Sequence, residues 1–358
     1  MKALVLTGGG ARGAYEAGVV RGLAEAGQAF DLVCGTSIGA INAAFYAQDL
    51  LPELEQTWKS IASRNIITPS PKVQSIKNFV VGFEDFLKVP KLARAFHILG
   101  LFNLYRKIGP ITELRSLLSA LDRTGIAELL RPVLNVNNLK RSLVVAATNV
   151  TLQTSESFYT FVDPGPGAAV NALQQTFIAN AGPSRRLTND NFLDVIEASS
   201  AIPFAFPPVK QNLGTPNTFL YVDGGVANNT PIGLAIAAGA TDITAIFMDP
   251  ESVAPVSQVI SDAAVLGMSC YSVMQQKILA DDMKLALMTN KALAATDAAK
   301  SEQLGLTSKV QVALRQVRPQ QALGLSVLGF SDQAGLNAAF ELGRQDANNV
   351  KTVWPLTG

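Results

Sequence analysis

Gly35-Thr36-Ser37-Ile38-Gly39 forms a G-x-S-x-G string between the apolar run Leu32-Val33-Cys34 and a small-residue segment that runs through Phe45. A serine on a tight strand-to-helix turn is held in a strained backbone with its hydroxyl exposed above the sheet. Flanking glycines, here Gly35 and Gly39, leave room for the turn and for a substrate's approach. The helix that follows aims its positive N-terminal end at the same spot and favours an alkoxide or oxyanion there. Ser37 is therefore read as a nucleophile. The pentapeptide alone is common by chance, and its place between strand and helix selects this reading over a plain helix cap.

A serine hydroxyl is a poor nucleophile until a base takes its proton. The one histidine, His97, sits in Ala95-Phe96-His97-Ile98-Leu99 with no acid or glycine turn beside it. Hydrolases with this turn run serine, acid, histidine along the chain, and no histidine follows residue 97, so a triad is rejected. The base is assigned instead to Asp223, in Asp223-Gly224-Gly225, which directly follows the apolar run Phe219-Leu220-Tyr221-Val222. Parallel strands bring their C-terminal ends to one edge of a sheet, which allows Ser37 and Asp223 to meet. Partial desolvation would lift the carboxylate above its usual pKa of roughly 4 and make it a better base. Taken alone, Asp-Gly-Gly reads as a simple turn.

Gly8-Gly9-Gly10-Ala11-Arg12-Gly13 satisfies G-x-G-x-x-G after a strand and before a helix, the dinucleotide-binding fingerprint. That use expects an acid at the end of the second strand, roughly 20 residues on. Here Asp31 precedes the strand, whose far end runs into Gly35. The other use is an oxyanion hole built from Gly8, Gly9, Gly10 and Arg12, its bare N–H groups aimed at charge developing beside Ser37. Gly13, Gly35, Gly39, Gly224 and Gly225 support these turns. A non-catalytic dinucleotide-binding protein using the Gly8–Gly13 loop stays as the rival from another class.

These residues imply the elements that must hold them. Residues 2–7 predict a strand, and Ala14, Tyr15, Gly18, Val19, Gly22, Leu23 and Ala26 recur at helical spacing before the stop at Gly27. Further strands are expected at 32–34, 143–147, 157–162, 219–222, 243–248 and near 310–317. Helices are expected through 48, over 191–199 with a cap from Asn189-Asp190, after Pro231 and from Ser331. The alternation predicts an α/β fold with a mostly parallel sheet flanked by helices on both faces. Pro69, Pro71, Pro90 and Pro110 punctuate residues 64–112, read as a helical insert, and 251–358 reads as mainly helical. Without repeats or a low-complexity linker, residues 1–350 read as a single domain.

The three motifs, in this order, resemble those of the patatin-like phospholipases. Ala147-Thr148-Asn149, Ala198-Ser199-Ser200-Ala201-Ile202-Pro203-Phe204 with Phe206-Pro207-Pro208, and Val226-Ala227-Asn228-Asn229-Thr230-Pro231 resemble the family too. The resemblance covers roughly residues 1–250. It implies a Ser-Asp dyad hydrolase of phospholipid or galactolipid acyl esters, with Ser37 as nucleophile, Asp223 as base and Gly8 to Arg12 as the oxyanion segment. Related acyl carrier protein transacylases pair a G-H-S-x-G serine with a histidine, and Thr36 stands where that histidine would be. The expected reaction is metal-free and cofactor-free and passes through an acyl-Ser37 intermediate. An acyltransferase working from the same dyad stays open.

Bulk properties agree. The chain has 358 residues, 48% hydrophobic and 16% charged, which argues against disorder. Its 29 basic and 28 acidic residues, with no basic run, exclude a general nucleic-acid binder. Cys34 and Cys270 make no disulfide framework. The apolar stretch at the start is too short for a secretory signal, and no window matches a membrane-spanning helix. The expectation is a cytoplasmic protein acting on a lipid ester, with peripheral contact at a membrane and the oligomeric state left open.

Overall fold

In the computed structural model, which describes residues 1–64, 68–69, 121–163, 170–203, 205–212, 217–251 and 263–354, the continuous apolar runs become the central strands. These are β1 (Lys2–Leu6), β2 (Leu32–Thr36), β5 (Ser142–Asn149) and β10 (Asp242–Ile246), all parallel to one another. The small strands β3 (Thr68–Pro69) and β4 (Leu121–Asp122) pair only with each other. The main sheet is completed by β6 (Thr154–Thr160), β7 (Ser184–Arg186), β8 (Val209–Gln211), β9 (Phe219–Val222), β11 (Ala313–Val317) and β12 (Lys351–Trp354). Its order is β12-β11-β10-β1-β2-β5-β6-β7, with β9 on β5 and β8 on β9.

Side chains alternate across the strands, so each central strand feeds two cores. Leu4 and Leu6 pack in the layer of α1 (Gly13–Glu25), α2 (Ile38–Ala47) and α3 (Leu51–Ser60). Ala3 and Val5 pack in the opposite layer, with Phe177 of α5 (Val170–Asn180), where α4 (Thr124–Leu130) precedes α5 in the chain. That second layer also holds Ile232 and Ala235 of α7 (Ile232–Ala237), which follows α6 (Phe192–Ser199). The mostly parallel sheet with helices on both faces is the expected α/β architecture.

The C-terminal part carries α8 (Ala263–Ala294), α9 (Ala298–Gln303) and α10 (Gln333–Asp346). It also adds β11, the strand expected near 310–317, and the antiparallel edge strand β12, which alone of the two the sequence pattern did not signal. Helix α10 starts from Asp332, whose side chain accepts from the Gly335 N–H, one residue later than the expected Ser331 start. It crosses α1 at glycines: a Cβ on Gly18 would overlap the Phe340 carbonyl oxygen, and one on Gly343 the Tyr15 carbonyl oxygen. Among the described residues no helix is long and apolar enough to cross a membrane. Most of the expected 64–112 insert, His97 included, lies outside the described residues.

One arrangement sets up the site. Strand β5 pairs along one edge with β6, over Leu143–Asn149. Its other edge carries β2 in parallel up to Thr36↔Ala146, then β9 antiparallel from Thr148↔Val222. The strand before Asp223 is thus in the sheet as expected but runs the opposite way. Apolar alternation fixes which face a residue takes and leaves strand direction open. Strands β2 and β9 therefore run toward each other along one rail and end on either side of Ala147.

Candidate active site

Ser37 follows β2 directly and adopts φ 57°, ψ −128°, in the left-handed half of backbone space that a side chain rarely enters. The strain is held from both sides. The Ser37 N–H donates to Ser199 Oγ at 2.9 Å, and that hydroxyl donates to the Ala146 carbonyl at 2.6 Å. A Cβ on Gly35 would come 2.5 Å from the Gly39 carbonyl oxygen, and one on Gly39 would come 2.6 Å from the Leu6 and Thr7 backbone. Both flanking glycines are required by close backbone approach.

Asp223 follows β9 and is fully buried. Ser37 Oγ donates to Asp223 Oδ2 at 2.5 Å, and the Gly225 N–H donates to Oδ1 at 2.7 Å. The backbone around the carboxylate is pinned as well: Asp223 N–H donates to the Ala201 carbonyl, and the Thr148 hydroxyl donates to the Asp223 carbonyl. Thr36 donates its hydroxyl to the Asn228 carbonyl at 2.9 Å, tying the serine turn to the loop after Asp223. Burial pushes the Asp223 carboxyl up to about 6, against the opposing hydrogen bonds from Ser37 and Gly225 and the nearby Tyr271 hydroxyl.

The glycine turn lies against this pair. Gly8 is so close to Ser37 that a Cβ there would stand 3.1 Å from the serine Cβ. The Gly8 N–H donates to the Asn229 carbonyl at 3.4 Å, so it is engaged. Among the described residues, the N–H groups of Gly9 and Gly10 have no acceptor. Gly10 has φ +60°, and a Cβ on it would overlap the Val327 carbonyl oxygen, which accepts from the Ala11 N–H at 2.8 Å. Arg12 donates to the Gly9 carbonyl at 3.3 Å and pairs with Asp249, so its guanidinium braces the turn from outside. Gly13 packs on Ile38 at the start of α2, and Gly224 on the Ala146 carbonyl and Thr36.

Beside Ser37 opens a narrow apolar cavity of about 40 Å³, lined by residues including Ile38, Ile41, Trp58, Ile202, Phe206 and Phe330. Trp58 stacks on Phe330 with ring centroids 6.2 Å apart, and its Nε1 donates to Asn42. Asn42 in turn donates to Glu16, a fully buried carboxyl that also accepts from the Thr7 N–H. Desolvation raises the Glu16 carboxyl to about 8. Neither this network nor the C-terminal residues Val327, Phe330, Tyr271 and Gln275 is signalled by the sequence. An acid three residues after a glycine turn, inside an otherwise small and apolar helix, is the signal that could have drawn attention to Glu16.

The geometry does not suit a dinucleotide. No acid stands at the end of β2, where Ser37 sits, and the Asp31 carboxylate is taken by the Lys2 N–H at 2.8 Å. The glycine turn that a pyrophosphate would approach is packed against Asn229 and Val327.

The structure thus brings together a buried carboxylate, a strained serine bonded to it and a glycine turn beside them, on a mostly parallel sheet. The chain belongs to the patatin-like phospholipase family, whose model matches residues 4–236. Among similar proteins, lysophospholipase nte1 of Aspergillus terreus is 59% identical over 46 residues, 13% of this chain and 3% of that protein. Human patatin-like phospholipase domain-containing protein 6 is 57% identical over 47 residues, again 13% of this chain and 3% of that protein. The crystal structure of VipD from Legionella pneumophila aligns over 98% of this chain and 67% of that one, at 16% identity and a TM-score of 0.36.

Proposed function

We propose that the chain is a serine lipid acyl hydrolase that cleaves fatty-acyl esters of phospholipids or related lipids through Ser37 and Asp223. The observation that carries this reading is the 2.5 Å hydrogen bond from Ser37 Oγ to a fully buried carboxylate, made from a strained turn. Asp223 takes the proton as Ser37 Oγ attacks the ester carbonyl carbon. The free N–H groups of Gly9 and Gly10 receive the tetrahedral oxyanion, with Arg12 and Val327 holding them in place. The carbonyl re-forms, the alcohol leaves with the proton from Asp223, and an acyl-Ser37 ester remains. Water then gives its proton to Asp223 and attacks the acyl carbon; the fatty acid is released as Ser37 Oγ leaves and takes that proton back from Asp223. The apolar cavity beside Ser37 suits the start of an acyl chain, and the substrate reaches it by peripheral contact with a membrane.

The test is a panel of phospholipid, lysophospholipid and neutral acyl esters offered to wild type and Ser37→Ala, with intact-mass analysis after a fluorophosphonate. Hydrolysis that vanishes in Ser37→Ala, with one adduct on Ser37, is expected. An adduct on another serine, or no loss of hydrolysis, would overturn the assignment.

A further inference from the structure

The neighbours of Asp223 include a buried pair from a part of the chain that the family model does not reach. Helix α8 packs its N-terminal half against the Asp223-Gly224-Gly225 turn. Tyr271 and Gln275, four residues apart on that helix, are 3% exposed each. Gln275 Nε2 donates to the Tyr271 hydroxyl at 2.7 Å and to Asn229 Oδ1 at 3.2 Å. The same amide nitrogen lies 2.5 Å from the position a Cβ on Gly225 would take, and Asp223 Oδ1 lies 3.0 Å from that position. With its oxygen accepting from Gln275, the tyrosine keeps its own proton to donate, and Asp223 is the carboxylate whose charge acts on it.

We propose that Tyr271, oriented by Gln275, is a positioning residue for the general base: its hydroxyl proton is aimed at Asp223 and holds that carboxylate on Ser37. The inference rests on the dyad reading above. A hydrogen bond to the ionised form favours it, so this contact offsets part of the desolvation that burial imposes on Asp223. Burial and the neighbouring carboxylate keep the phenol pKa well above its usual value, so Tyr271 stays a donor throughout the working range. Among the described residues, the Arg12 guanidinium of the glycine turn is the further charge that acts on Tyr271. Gln275 Oε1 is buried with no partner among the described residues. Ordinary core packing would avoid such an orphan with an apolar side chain. Here it accompanies an amide whose nitrogen is committed to Tyr271 and Asn229.

The test uses the full chain. Tyr271→Phe keeps the ring and removes only the donor, so the acid limb of kcat/KM is expected to move to higher pH by on the order of one unit, with KM unchanged. Gln275→Leu is expected to move it the same way by less, since the phenol then loses its orientation. Isotope-edited infrared titration of the Asp223 carboxyl, comparing Ser37→Ala with Ser37→Ala/Tyr271→Phe, reads the same shift without turnover. An Asp223 midpoint that stays put when Tyr271 becomes Phe overturns this inference alone. Hydrolysis that survives in Ser37→Ala overturns the dyad on which it rests.

Discussion

Burial makes an ordinary carboxylate useful beside Ser37. In water an aspartate near pKa 4 is a weak acceptor for a serine proton, and at about 6 it is a better one while still ionised at neutral pH. Hydrolysis is therefore expected to fall as pH drops below about 6, because protonated Asp223 cannot accept from Ser37; a rate profile flat down to pH 4 would contradict this. The same shift has a stability counterpart of known sign. A carboxyl whose folded-state pKa is raised adds stability that is full below its unfolded value and is lost as pH rises through about 6. Asp223→Asn keeps the size and an acceptor for the Gly225 N–H but cannot take the serine proton. It is expected to lose nearly all hydrolysis while melting, above pH 6, no lower than wild type. A large drop in melting temperature would make Asp223 a structural turn residue.

The turn after β1 and the helices beside it ask for tests of their own. Gly10→Ala forces a side chain onto a φ of +60° and against the Val327 carbonyl, so the turn must shift. Loss of one oxyanion donor costs roughly 10²–10³ in turnover, and a fall of that order with little change in KM is expected from steady-state kinetics. Glu16 ties the end of β1 to α1 and, through Asn42, to α2 and Trp58. With its carboxyl raised to about 8, its contribution to stability is complete below about 4.5 and fades as pH rises through 8. Wild type is expected to lose melting temperature between pH 6 and 9, and Glu16→Gln to show a flatter curve over that range in calorimetry. At this scale the sequence was legible wherever the chain is punctuated locally. The β1–turn–α1 and β2–turn–α2 units stand out because glycines sit between an apolar run and a helical period. Helix α3, the short β7 and β8, and the edge strand β12 carry no such marks. The direction of β9 could not be read, since its pairing with β5 spans two residue pairs chosen by tertiary context.

Across the whole molecule, the region matched by the family model supplies Ser37 and Asp223, and the remainder completes their surroundings. Val327 and Phe330 hold the glycine turn and the cavity wall, and Tyr271 and Gln275 stand beside the Asp223 turn. The sequence could not announce these roles, because a tyrosine and a glutamine four apart on a 32-residue helix look like any other helical pair. What anchors this part of the chain is the glycine crossing of α1 and α10. Gly343→Ala drives a methyl into the Tyr15 carbonyl and is expected to cost about 1–3 kcal/mol. Denaturant melts should register that loss, and an unchanged midpoint would mean that the crossing is looser than it looks.

Strands β2 and β9 ending face to face on one rail has a consequence for how the protein is made. Ser37 leaves the ribosome 186 residues ahead of Asp223, which at 5–20 residues per second is roughly 10–40 s. Through that interval the emerging polypeptide carries Ser37 without the carboxylate it bonds to, because β9 has yet to be synthesised and laid along β5. If Ser37 and Asp223 act as proposed, a half-made copy is expected to leave lipid esters uncut until β9 has been laid along β5.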